Sequence, residues 1–220
     1  MKTVKGILTM VMLLIATSVF AQHKDWAKFY RYAEANETVV VAPKAVFLGD
    51  SITDGWAQKD SEFFTENNFV GRGISGQVTS QMLVRFRQDV IALHPEYVVI
   101  LAGTNDIALN NGIITLENIM GNLMSICELA KLHQIKPILC SVLPCDKYLW
   151  RLEVENPAEE VIKLNKMIKE YAESENIPYV DYHAALSDEN GALPIKYSSD
   201  HVHPNMDCYK VMEEIILQQF

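Results

Sequence analysis

The sequence predicts a single α/β domain in which a parallel β-sheet is covered by helices on both faces. Three observations carry this expectation. Short apolar runs alternate with stretches whose apolar residues recur at helical spacing, five times along the chain. The central run, Tyr-Val-Val-Ile-Leu at 97–101, is apolar at consecutive positions, as a strand buried on both faces must be. No repeat, low-complexity tract or Pro/Gly-rich linker divides the 220 residues, a length that suits one core.

Taken in order, residues 23–36 place Trp26, Phe29, Tyr30 and Ala33 on one helical face. Residues 44–48 and 69–72 are short strands, the second weaker. Residues 78–93 repeat Val78, Met82, Phe86, Val90 and Leu93 at the spacing of one helix. After the strand at 97–101, residues 116–132 turn Leu116, Ile119, Leu123, Ile126 and Ala130 toward the core. Residues 136–143 form the fourth strand. Asn156-Pro157 with Glu159 and Glu160 behind it starts a helix. Proline there lacks only an N–H that would be unpaired anyway, and the acids sit near the positive end of the helix dipole. Residues 179–181 make a fifth strand and 205–219 a closing helix.

Composition removes several classes. With 49% hydrophobic and 21% charged residues the chain is neither disordered nor a cysteine-dense scaffold. Its 28 acidic residues against 19 basic give a net charge of −9, a poor match for nucleic acid or an anionic lipid surface. Residues 1–21 read as a secretory signal peptide: Lys2 and Lys5, an apolar stretch over 6–15, then Val19-Phe20-Ala21 with cleavage before Gln22. The apolar stretch is shorter than the ~20 residues that span a bilayer, so no stable membrane anchor is expected. The mature domain would be 22–220, secreted or periplasmic. Such a destination permits disulfides, and Cys127, Cys140, Cys145 and Cys208 allow three pairings. Cys127 falls on a helix's apolar stripe and Cys140 inside a strand, which favours buried free thiols. With no CxxC pair, neither a structural zinc nor any other cofactor is expected.

Ligands of such a sheet bind at the carboxyl ends of the strands. Gly49-Asp50-Ser51-Ile52-Thr53 follows the first strand, Gly73-Ile74-Ser75-Gly76-Gln77 the second, and Gly103-Thr104-Asn105-Asp106 the third. Beyond the fifth comes Asp200-His201-Val202-His203-Pro204. One edge thus gathers a serine, glycines, an asparagine and an Asp–His pair, the parts of serine acyl transfer.

Through these four ordered blocks, spread over nearly all of the mature chain, the sequence resembles the SGNH (GDSL) hydrolases. The resemblance implies a flavodoxin-like, three-layer fold with a five-stranded parallel sheet of order 2-1-3-4-5. It implies Ser51 as nucleophile, His203 as general base and Asp200 as the group that orients it. The backbone N–H groups of Ser51 and Gly76 and the side-chain amide of Asn105 would form the oxyanion hole. Two positions depart from the family pattern: His201 stands where glycine often follows the catalytic aspartate, and Cys208-Tyr209 where Gly-Tyr is common.

Plainer readings stand beside these. Ser51 is also a natural helix cap. Gly71-Arg72-Gly73-Ile74-Ser75-Gly76 matches the dinucleotide fingerprint, but no acidic residue ends the following strand. Asp181 and His183 form a rival Asp–His pair, His201 and His203 a possible metal pair without a third ligand, and Asp50 and Asp106 read as organisers of their loops. Trp56, Tyr148, Trp150 and Tyr197 are candidate pocket aromatics. With no lid-sized insertion, the expected substrate is a small-molecule or glycan ester carrying a short acyl group, acetyl on carbohydrate above all. A lysophospholipase or thioesterase and a catalytically inactive ligand-binding protein are the alternatives.

Overall fold

The structure is a computed structural model that describes residues 25–220; the leader expected at 1–21, the proposed start of the mature domain and the first residues of the 23–36 helix lie outside the described residues. Five parallel strands form one sheet: β1 (Ala45–Gly49), β2 (Phe69–Gly73), β3 (Tyr97–Leu101), β4 (Lys136–Cys140) and β5 (Tyr179–Val180). Their order is β2-β1-β3-β4-β5, the 2-1-3-4-5 arrangement of the flavodoxin-like fold. Because β1 has β2 on one side and β3 on the other, the chain changes winding direction there. A crevice opens at such a switch point, beyond Gly49 and its partners Gly73 and Leu101.

Successive strand residues serve opposite faces. Val46, Leu48, Val98 and Ile100 pack with α4 (Thr79–Asp89), α6 (Leu116–Leu132) and α7 (Pro157–Ser174). Phe47, Val99 and Leu101 pack with α2 (Ser51–Lys59) and α9 (Met206–Ile216). This two-sided burial explains why the strands read as continuous apolar runs. On the second face Trp56 is 1% exposed, stacked between Phe63 and Tyr209 with ring centroids 5.5 Å away on each side. Its indole N–H donates to Glu213 Oε1 at 3.1 Å. Trp56 is therefore a core residue and not part of a substrate pocket. The cysteines are all free and buried.

Several boundaries differ from the periodicity. The helix expected over 78–93 ends at Asp89, where Val90 leaves helical geometry (φ −128°, ψ −63°), and a 3₁₀ turn, Ile91–Leu93, follows and stops at left-handed His94 (φ 52°) before Pro95, where α geometry is disfavoured. The fourth strand stops at Cys140, not 143, because the Asn165 side chain takes both the N–H and the C=O of Val142 at 2.7 and 2.9 Å and draws the chain out of the ladder. The first helix, α1, runs Tyr30–Glu37 and buries Tyr32; Trp26, Phe29, Tyr30 and Ala33 are exposed, contrary to the expected face. Tyr32 is drawn in by hydrogen bonding to Gly73 O and by the Arg31 and Arg72 guanidinium groups 4.8 and 4.7 Å from its ring centroid. Three short helices escaped the periodicity: α3 (Ser61–Glu66), α5 (Thr104–Ile107) and α8 (Tyr182–Leu186).

One buried cation fastens the crevice from below. Arg85 is fully buried; its Nε donates to Gln77 Oε1 at 2.6 Å, one terminal N to Asp89 at 3.0 Å and the other to Gly49 O at 3.0 Å. Replacing one partner of a buried ion pair leaves the other charge uncompensated, at a cost of about 3–5 kcal/mol. Arg85→Met should therefore lose about that much stability in urea denaturation. A loss below ~1 kcal/mol would contradict the fastening role.

Candidate active site

Ser51 opens α2 directly after β1. The helix is capped by Asp50, whose carboxylate accepts from Ile52 N at 2.9 Å, so capping does not occupy the Ser51 hydroxyl. That hydroxyl lies 2.9 Å from His203 Nε2, and His203 Nδ1 lies 2.7 Å from Asp200 Oδ2. The other Asp200 oxygen accepts from the backbone N–H groups of His203 and Val202 at 2.8 and 3.0 Å and from the Ser198 hydroxyl at 3.0 Å. Burial alone would raise the Asp200 pKa, but the backbone and ring N–H groups of His203, with Val202 N–H, outweigh it and hold the carboxyl well below its ordinary range. Asp200 is thus a fixed negative charge against the imidazole.

Ser51, Ser75, Gly76, Asn105, Asn110, Trp150 and His203 line one cavity of about 250 Å³. Gly76 has φ 80°, and nothing stands within 4 Å of where a Cβ would be, so its backbone is bare to a ligand. Asp54 on α2 accepts from the Ser75 hydroxyl at 2.8 Å and holds that loop in place. Asn105 is buried and donates one amide N–H to Gln77 O at 3.1 Å. An asparagine amide has a second N–H to offer. Asp106 anchors the same segment by accepting from Thr79 N and Oγ1 at 2.9 and 2.6 Å; burial pushes its carboxyl up to about 6 against these bonds.

The expected aromatics divide. Trp150 lines the cavity, 42% exposed, with its ring centroid 6.1 Å from that of His203. Tyr148 is 1% exposed, bonded to Thr104 Oγ1 at 3.1 Å and packed behind Trp150, so it supports the wall and does not face a ligand. Tyr197 packs against the α2–α9 face of the sheet, away from the cavity lining. His201 adopts φ 70°, the conformation that explains a glycine preference there, and its Nδ1 is 2.9 Å from Asp146 Oδ1, which leaves the serine to His203. The rival Asp181 caps α8 through Ala184 N, and His183 bonds Ser187 Oγ at 3.1 Å. Ser75 and Asn110 complete the lining without a sequence signal of their own; only their nearness to Gly76 and Asn105 hints at it. A larger groove of about 630 Å³ takes Asp106, Ile107 and Leu109 from the segment after Asn105. Its polar lining is Asp106, Thr115, Glu117, Glu153, Glu155 and Glu160, with no histidine to activate the threonine hydroxyl, so chemistry selects the smaller cavity.

A serine at the end of the first strand of a parallel sheet, bonded to a histidine that is held by an aspartate, is the constellation of serine hydrolases. The chain belongs to the GDSL-like lipase/acylhydrolase family, a family of carboxylic ester hydrolases whose model matches residues 47–211. Among solved structures it is similar to a GDSL-like lipase from Bacteroides thetaiotaomicron VPI-5482, with 43% identity, a TM-score of 0.85, and 88% of this chain and 97% of that chain covered. A Bacteroides fragilis NCTC 9343 protein assigned as an acylhydrolase is 44% identical with a TM-score of 0.87, covering 89% of this chain and 97% of that one. An acetylxylan esterase from Geobacillus stearothermophilus is 24% identical over 208 residues, 80% of this chain and 93% of that protein.

Asp50 gives the site a pH signature. Burial pushes its carboxyl up to about 7, with Asp106 reinforcing the rise and the Ile52 N–H and His203 opposing it. A carboxyl raised by folding contributes stability that is complete below its unfolded value of 3.8 and is lost as pH climbs through about 7. Asp50→Asn should therefore gain stability relative to the wild type between about pH 4 and 7, measured by urea denaturation at each pH. A difference that stays constant over that range would contradict the raised value.

Proposed function

We propose that this protein is an exported serine esterase that removes acetyl or other short acyl groups, with carbohydrate as the carrier. The observation that carries the reading is the continuous path from Asp200 through His203 to Ser51, with contacts of 2.7 and 2.9 Å. Ser51 Oγ attacks the ester carbonyl carbon while its proton passes to His203 Nε2. The carbonyl oxygen becomes an oxyanion facing the Ser51 and Gly76 N–H groups and the Asn105 amide. Collapse breaks the bond to the alcohol, which leaves with the proton from His203. Water then enters, gives a proton to His203, attacks the acyl-enzyme and releases the acid with Ser51 restored. Asp200 stays ionised throughout and stabilises the imidazolium.

Short acyl groups are favoured by size. A methylene contributes up to ~0.8 kcal/mol only where apolar surface buries it, and the cavity around Ser51 has a volume of only about 250 Å³. The similarity to an acetylxylan esterase supports an acetylated glycan as carrier. Export rests on the leader-like residues 1–21.

Ser51→Ala should abolish ester hydrolysis while leaving circular dichroism and the melting temperature unchanged; a folded variant that keeps appreciable activity would remove Ser51 from the mechanism. Asn105→Ala should lower kcat by about 10²–10³ with little change in KM, because its donor acts on charge that develops during reaction. A pure KM effect would make Asn105 a substrate-binding group instead. Across p-nitrophenyl acetate, butyrate and octanoate, kcat/KM should be highest for the short esters, with acetylated sugars also cleaved. A clear preference for octanoate, or efficient cleavage of lysophosphatidylcholine, would transfer the assignment to lysophospholipase.

A further inference from the structure

We infer that Asn110 is a positioning residue that sets the polarity of the oxyanion donor and couples it to the aromatic wall of the cavity. The inference rests on the role proposed for Asn105. Three hydrogen bonds form one line. Trp150 Nε1 donates to Asn110 Oδ1 at 2.9 Å, Asn110 Nδ2 donates to Asn105 Oδ1 at 2.6 Å, and Asn105 Nδ2 donates to Gln77 O at 3.1 Å.

The direction of this line is fixed from both ends. An indole N–H can only donate, and a backbone carbonyl can only accept. The Trp150 end therefore forces the Asn110 oxygen toward the indole and its NH₂ toward Asn105. The Gln77 end forces the Asn105 NH₂ toward Gln77 and its oxygen toward Asn110. Turning either amide over sets oxygen against oxygen or N–H against N–H at both of its contacts. As a result Asn105 has Nδ2 on the side that can also serve an oxyanion, and its own oxygen is occupied elsewhere. The backbone is shaped for this contact: Asn110 N donates to Asn105 O at 3.0 Å, and Leu109 takes φ 54° between them, an uncommon conformation for a β-carbon residue.

Coupling to Trp150 follows from the same line. Its indole is tethered by the N–H to Asn110, backed by Tyr148 at 5.3 Å between ring centroids, and faces His203. Wall and donor thus share one side chain. An acyl group that displaces Trp150 disturbs the donor as well, so acyl size is sensed in kcat and not only in binding.

The test is steady-state kinetics on p-nitrophenyl acetate for Asn110→Ala, Asn110→Asp, Asn105→Ala, the Asn105→Ala/Asn110→Ala double variant and Trp150→Phe. Asn110→Ala should lower kcat about tenfold at nearly constant KM, since the Asn105 amide is then held by Gln77 O alone and loses the partner of its oxygen. Asn110→Asp, the closest in shape, should lower it further, to about 10²-fold. Its carboxylate offers acceptors to both neighbours, which draws Asn105 Nδ2 toward it and swings the Asn105 oxygen toward the reacting centre. A residue that merely holds the loop's shape gives the opposite order. The double variant should be no slower than Asn105→Ala, because Asn110 acts through Asn105. Trp150→Phe keeps a ring, removes the N–H without touching the loop, and should lower kcat several-fold. Asn110→Asp as active as Asn110→Ala or more so, losses that multiply in the double variant, or an unchanged kcat in Trp150→Phe would each overturn the inference. Wild-type kcat in Asn105→Ala alone would instead overturn the oxyanion role of Asn105, and this inference with it.

Discussion

The site depends on how closely the first turn of α2 lies against the ends of β1 and β2. Gly49 and Gly73 are register partners, and neither position has room for a side chain. A Cβ on Gly73 would stand 2.1 Å from Asp54 N, and one on Gly49 would stand 2.1 Å from Thr53 Oγ1 and 2.8 Å from Leu101 O. With the turn pressed onto the sheet, Ser51 emerges at the first helical position, where backbone N–H groups lack intrahelical acceptors and favour negative charge. The same closeness brings Asp54 within reach of Ser75 and so fixes the loop that carries Gly76. Arg85, bonded to Gly49 O and Gln77, secures this junction from inside.

His203 arrives from the other end of the chain on a segment that organises itself. Ser198, Val202 and His203 all donate to one oxygen of Asp200 and leave the second for the imidazole. A carboxylate with that many donors stays charged, and a charged partner keeps the Nδ1 proton in place so that Nε2 faces Ser51 as an acceptor. Left-handed His201 reaches Asp146, which lies in the loop that also carries Trp150. The histidine that stands where glycine is common therefore ties the Asp200–His203 segment to the loop of the cavity wall.

The fold was legible where physics leaves a repeated mark. Strands buried on both faces must be apolar throughout, so β1, β3 and β4 are visible, and the buried face of α6 follows from its spacing. Strand order was not contained in periodicity and came from the resemblance. Single contacts were invisible: the two bonds of Asn165 that end β4 early, and the Tyr32 contact that reverses the expected face of α1. In the site, the polar blocks that contain Ser51, Gly76, Asn105, Asp200 and His203 were legible because each follows a strand, while the resemblance singled out the individual residues within them. The pocket aromatics were not, because an aromatic after a turn reads alike whether it packs inward, as Trp56 and Tyr148 do, or lines a cavity, as Trp150 does. Asn110 has meaning only through partners at 105 and 150, one of them forty residues away.

The central claim is that the Asp200–His203 pair makes Ser51 a nucleophile. Reaction with a fluorophosphonate followed by intact-mass and peptide mass spectrometry tests it most directly, since the reagent bonds only to an activated hydroxyl and needs no knowledge of the natural ester. The expected result is one adduct per chain, located on Ser51 and formed far more slowly in His203→Ala. No adduct on folded protein, or an adduct on Ser75 in the same cavity, would contradict it.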